Sequence, residues 1–254
     1  MKYLYTNHKE VIILQKSAYV PFFHVGRLER YNSYQQKNPN LSWLDVITHV
    51  NIGLDQAHYS NVQLIDNPSE LTVLVNKYRQ LSDGYEPKDL ETIDQRFNPD
   101  GLKLRHYARV AFEKMCEDAL AEGISLKAVS AYRSFSYQQE VYNRYKTQDK
   151  TEEEYQAIRD KVSARAGHSE HQTGLAVDIN DLEESFADMP EAKWLADNAY
   201  KYGFILRYPK GKELITGYNY EPWHFRYLGR KLAADVSKSG LTYDEYYARF
   251  LLSR

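Results

Sequence analysis

Residues 167–180 read GHSEHQTGLAVDIN, a turn followed by a short strand. Gly174 lets the chain bend directly after His171 and Thr173. Residues 175–179 form an apolar strand ending near Asp178, and the small Ala176 lets that strand pack closely against a neighbour. A His just before a turn and an Asp near the end of the next strand can converge on one point. Two ligands do not make a catalytic zinc site, which takes three protein ligands and an open position. A third candidate stands downstream in residues 220–225, YEPWHF, where His224 opens a predicted strand over 223–227. Glu221 precedes it by three residues, with Pro222 stiffening the backbone between them. A carboxylate close to a metal but not on it is what a zinc hydrolase uses as general base. Singly, each residue has an ordinary reading: a surface or core His, a strand-end Asp cap, an exposed turn Glu. The joint pattern carries the weight.

Around this block the periodicity predicts further elements. Residues 126–131 and 204–208 read as buried strands. Leu104, Tyr107, Ala108, Ala111, Phe112, Met115, Ala119 and Leu120 recur at helical spacing, with Gly123 where the helix stops. Cys116 falls beside that apolar face and reads as a small core residue rather than a nucleophile. Helices are predicted over 136–146, 152–164, 192–202, 231–238 and 243–252. Towards the start, 27–37 and 43–52 are short helices split by the turn signal Asn38-Pro39-Asn40, and 71–75 is an apolar, β-favouring run. Helices and short strands without regular βαβ alternation indicate an α+β fold, a small antiparallel sheet flanked by helices. The polar stretch 83–101, with Pro87, Pro99 and several Asp, marks the expected boundary. Residues 1–82 are then a mainly helical N-terminal extension and residues 83–254 the main domain.

Composition narrows the function. Across 254 residues, 43% hydrophobic and 27% charged content excludes disordered and fibrous classes. With 33 Lys+Arg against 35 Asp+Glu, nothing calls for a nucleic-acid partner or an anionic membrane surface. One cysteine excludes an internal disulfide framework and a Cys-rich zinc knuckle. No stretch approaches the roughly 20 apolar residues of a membrane span. The apolar run at 11–14 is too short for a signal core of about 7–15 residues, so no leader is expected in the chain as written. Phosphate-loop, Gly-x-Ser-x-Gly, Ser-x-x-Lys and His-Glu-x-x-His patterns are all missing. The 23 Tyr suit a groove for a polar, flat-sided ligand and equally suit a core.

Ser169-x-His171-x-x-Gly174-x-Ala176-x-Asp178 followed by Glu221-x-x-His224 resembles the signature of the VanY/LdcB-type zinc D-alanyl carboxypeptidases. Ser130-Ala131-Tyr132-Arg133-Ser134 resembles the arginine motif of that family, with Gln138 shortly after it. The resemblance runs in order from about residue 83 to Tyr227. It extends weakly upstream through 50–55 and 74–77. It implies a hedgehog/DD-peptidase-like domain in which His171, Asp178 and His224 hold one Zn²⁺. It further implies that Glu221 is the general base, while Arg133 faces the oxyanion or the substrate's terminal carboxylate. Gln138, Ser169 and Trp223 are then substrate-side residues. His168 departs from the pattern and is expected at the rim of the site, since a fourth ligand would close it. The implied substrate is a peptidoglycan stem peptide ending in a D-Ala-D-Ala or L-Lys-D-Ala bond. That places the expected site of action outside the membrane, in a chain expected to be monomeric. Two other readings stay open: an endopeptidase of the same zinc group, and a non-catalytic wall-binding module with a structural metal. An intact Glu221 argues against the second.

Overall fold

The computed structural model describes residues 20–144, 146 and 149–252. The apolar run at 11–14 and Tyr145, within the helix expected over 136–146, lie outside the described residues. The chain divides into two compact units, residues 1–57 with 245–254 and residues 58–244.

In the first unit, helices Leu28–Lys37 and Trp43–Ile52 match the expected pair. The second starts where the Ser42 side chain accepts the Asp45 N–H and stops at Gly53 in the left-handed region. Tyr31, Val46, Ile47 and Val50 are fully buried around Phe22 and close its small core.

Among the described residues, the second unit holds eight strands. β1 (Gln63–Leu64) and β2 (Arg79–Gln80) form a parallel pair, and β3 (Leu90–Thr92) and β4 (Lys103–Arg105) an antiparallel one. β5 (Ala128–Ser130), β6 (Ala176–Ile179), β7 (Phe204–Leu206) and β8 (His224–Tyr227) make an antiparallel sheet in the order β5-β6-β8-β7. The α+β class read from the sequence is the class observed. Strand periodicity divides this sheet into two faces. Val177, Ile179, Phe225 and Tyr227 point to the main core, against Phe112, Met115, Cys116 and Ala119 of helix His106–Ala121. Ala176, Asp178, His224 and Arg226 therefore point the other way. Both faces are covered, so β6 and β8 are buried throughout.

Two expectations change. In the run 71–75, Val73, Leu74 and Val75 are buried, but the run is not a strand, because side chains take its carbonyls. Arg226 donates to the carbonyls of Leu71 and Val73, Tyr243 to that of Thr72, and Arg79 to that of Leu74. Residues 83–101, the expected boundary, lie inside the larger unit and contain β3. The segment 58–82 also falls in the larger unit, where the Leu81 N–H donates to the Gly167 carbonyl at 2.8 Å.

Candidate metal centre

The sheet register assembles the site. Asp178 on β6 lies directly across from His224 on β8 and from Ser130 on β5, the strand that leads to Arg133. His171 reaches the same point from the short 3₁₀ turn Glu170–Thr173, which ends at Gly174 with φ 66°. A Cβ at Gly174 would meet Arg105 Cγ and Leu90 Cδ2 at 2.9 Å each. The position thus needs glycine both for its backbone angle and for the close approach of β4.

His171, Asp178 and His224 are all buried and offer ligand atoms within 4.8 Å of one another. His171 Nδ1 donates to the Ala131 carbonyl at 2.6 Å, which leaves the lone pair on Nε2 facing Asp178 Oδ2 at 3.3 Å. His224 Nδ1 lies 3.0 Å from Asp178 Oδ1. His171 Nε2 and Asp178 Oδ1 are buried without a hydrogen-bond partner. Orphaned buried donors and acceptors are costly, and a cation shared by two nitrogens and a carboxylate oxygen satisfies them together. That donor set fits zinc.

Charges around the cluster are unbalanced in a consistent way. Burial, reinforced by Arg133, lowers the His171 pKa to about 4, keeping the ring neutral. Burial alone would raise Asp178, yet His171 and His224 hold it well below the usual carboxylate range. His224 rises to about 9 against burial, because Asp178 and Glu170 flank it. Asp178 is therefore ionised and His171 already presents a free lone pair, whereas His224 must release a proton for a cation to bind.

Glu221 stands beside the cluster, Oε2 3.6 Å from His224 Nδ1, and is not one of the convergent three. Burial pushes its carboxyl up to about 7, with the His224 charge pulling the other way. Arg133 Nη1 donates to Gln138 Oε1 at 2.9 Å, and Nη2 reaches Asp178 Oδ2 at 3.5 Å. Gln138 is itself held by donating to the Ala164 carbonyl. Ser169 Oγ accepts the His171 N–H at 3.3 Å and caps the turn that presents the ring. Arg133, Gln138, Ser169, Tyr208, Tyr218 and Glu221 surround a pocket of about 50 Å³ beside the histidines. A wider groove of about 490 Å³ continues from it past Trp223, Arg144 and Glu183. All eight residues singled out in the sequence therefore gather here.

His168 does not sit at a rim. It is buried, with Nδ1 on the Asn76 carbonyl at 2.7 Å and its ring edge-on to Tyr59. The sequence reading also passed over Glu170, Arg207, Arg226 and Asp244, which form a buried ion cluster behind His224. Arg226 carried one signal: it shares the strand face of His224 by the period-two rule.

A family model described as VanY, D-alanyl-D-alanine carboxypeptidase, matches residues 101–230. The chain belongs to this family. The putative carboxypeptidase YodJ of Bacillus subtilis is 38% identical over 212 residues, 77% of this chain and 76% of the relative. Among solved structures, the LdcB LD-carboxypeptidase is 38% identical with a TM-score of 0.66, covering 75% of this chain and 91% of that one. A vancomycin-resistance D,D-pentapeptidase VanY, solved as a mutant with Zn(II), is 32% identical with a TM-score of 0.59. It covers 69% of this chain and 97% of that one. The VanY match spans β5, β6, β7 and β8, the strands that carry Asp178 and His224.

Proposed function

We propose that this VanY-family chain is a zinc carboxypeptidase that hydrolyses the last peptide bond of a peptidoglycan stem peptide and releases its terminal D-alanine. One observation carries the reading. A largely buried carboxylate, Glu221, lies against a three-ligand cluster without joining it, and both open onto a pocket holding a largely buried arginine. A purely structural metal site has no use for that carboxylate.

His171 Nε2, an Asp178 carboxylate oxygen and His224 Nδ1 would hold the ion. When bound, zinc supplies Lewis-acid polarisation and brings the pKa of water toward about 7. Glu221, with a carboxyl near 7, takes a proton from the attacking water and returns it to the departing amine. Arg133 offers a fixed, always-charged fork to the terminal carboxylate. Gln138 keeps that fork in place, and Ser169 holds the His171 turn. The small pocket takes the leaving residue, and the wider groove along Trp223 takes the rest of the stem.

The substrate puts the reaction outside the cytoplasmic membrane, and one copy of the chain supplies every group named. No helix among the described residues is long and apolar enough to cross a membrane. The catalytic domain, read from the sequence as 83–254, takes in residues 58–82 as well. The support is the pairing of Asn76 with His168 and of Leu81 with Gly167, immediately before the ligand turn.

The test is Glu221→Gln in zinc-loaded protein, assayed by mass spectrometry on muropeptides ending in D-Ala-D-Ala and in D-Ala. Loss of general-base action predicts a fall in kcat of about 10²–10⁴ with zinc content unchanged. Retained hydrolysis, or a native chain without zinc and without cleavage, would overturn the reading.

A further inference from the structure

Behind His224, four fully buried charged groups pack together, and one of them, Glu170, also lines the small pocket. Glu170 Oε1 accepts from Arg207 Nε and from Arg226 Nη1, both at 2.9 Å. Arg207 Nη1 donates to Asp244 Oδ2 at 2.6 Å, and Asn76 Nδ2 donates to the other oxygen, Oδ1, at 2.8 Å. Arg226 spends its remaining reach on the Leu71, Val73 and Tyr227 carbonyls. Two carboxylates and two guanidiniums balance, so each buried charge has a counter-charge beside it to offset its desolvation. A buried ion group of this kind is weak evidence for stability, since apolar residues of similar volume often serve as well. Its geometry points instead to the metal centre.

Both arginines bind the same oxygen of Glu170, which leaves Oε2 without a hydrogen-bond partner. That oxygen faces His224 Nε2 at 3.7 Å, and Nε2 is also buried and unpartnered. The opposite ring atom, Nδ1, lies on the ligand side, 3.0 Å from Asp178. A His that gives Nδ1 to a metal carries its proton on Nε2, where it faces the Glu170 Oε2 acceptor. We infer that Glu170 is the positioning residue of His224, fixing which ring nitrogen faces the metal, and that Arg207 and Arg226 hold Glu170 in place for that task. The sequence from Ser169 to His171 then has two functions in adjacent residues: His171 is a ligand, and Glu170 orients a different ligand 54 residues away, 224 − 170. The chain Asn76–Asp244–Arg207–Glu170 connects metal affinity to both ends of the larger unit. Outer partners of metal-bound His commonly act in this way, and their loss costs about 10–100-fold in metal affinity.

This inference rests on the zinc reading above, and the experiment separates the two. In native protein loaded with Co²⁺, proton spectra in water should show two hyperfine-shifted, slowly exchanging ring N–H signals. One belongs to His171, bonded to Ala131, and one to His224, bonded to Glu170. Glu170→Gln should weaken zinc binding ten- to hundredfold in chelator competition and perturb the His224 signal while leaving that of His171. Because that change leaves two buried arginines short of a counter-charge, Glu170→Gln with Arg226→Gln is the second variant, with the same expected loss. Native zinc affinity in either folded variant would overturn the assignment. So would a native spectrum with only the His171 signal, which decides the matter even if neither variant folds. A native chain that binds neither Zn²⁺ nor Co²⁺ would overturn the zinc reading and this inference with it.

Discussion

The guanidinium of Arg133 is shared between Gln138 and Asp178, and its Nε is buried without a partner. Burial lowers its pKa from an ordinary arginine value, but an arginine stays charged across any assay pH. A largely buried cation with spare donors facing a pocket of about 50 Å³ is suited to one carboxylate. Arg133→Ala should therefore cut kcat/KM by about 10–100-fold on peptides with a free C-terminus and leave amidated peptides unchanged, with zinc content as the control. Equal loss on both substrates would favour the endopeptidase reading, in which no terminal carboxylate is captured. At this scale the sequence was legible where the chemistry is local. His171 and Asp178 are seven residues apart across one turn, and Glu221 and His224 are three apart. Glu170 was illegible because its partners Arg207 and Arg226 stand 37 and 56 residues away. No spacing pattern links such residues before the sheet is formed.

Elements bring these residues to one point through register and through one turn. A one-residue slip between β6 and β8 would send Asp178 or His224 to the core face. The register is held by Val177, Phe225 and Tyr227 on the apolar face, which cannot turn outward without exposing the core. The weak point is Gly174, where φ is 66° and a Cβ meets two side chains. Gly174→Ala should destabilise the fold by about 1–3 kcal/mol in denaturant titration and lower zinc affinity, because His171 sits three residues earlier on the same turn. A variant with native stability and native affinity would show that the turn relaxes freely. The four strands β5 to β8 and most helices were legible from periodicity to within a few residues, whereas the short β1 to β4 were not. The run 71–75 was misread as a strand because its apolar pattern says nothing about where backbone carbonyls go. They go to Arg226, Arg79 and Tyr243, contacts that sequence neighbours do not reveal.

Over the whole molecule, the least legible feature is how far the segment after residue 57 enters the larger unit. The boundary placed at the polar stretch 83–101 assigns it to the extension, yet Lys77 is among its most buried residues, 1% exposed. Lys77 Nζ donates to the Asp160 carbonyl and to the Tyr59 hydroxyl, and lies 4.0 Å from the centre of the Tyr218 ring. Tyr218 in turn lines the pocket beside Glu221. Burial lowers the Lys77 pKa from 10.5 to about 8, only partly offset by Asp160. Below about pH 8 the ammonium is protonated in both folded and unfolded chains, so the cost of burying its charge is present in full. Between about 8 and 10.5 the unfolded chain holds the proton and the fold does not, so stability rises with pH across that window. Lys77→Met removes the titration while keeping the stem's volume, and every other titrating group is common to both proteins. The stability of native protein minus that of Lys77→Met, from urea titrations at pH 7 and pH 10.5, should increase by on the order of 3 kcal/mol. A difference that stays flat would mean that Lys77 keeps its proton inside the fold. The carbonyl of Asp160 and the ring of Tyr218 would then compensate the buried charge fully, and the segment would be anchored by an ion rather than by a neutral amine.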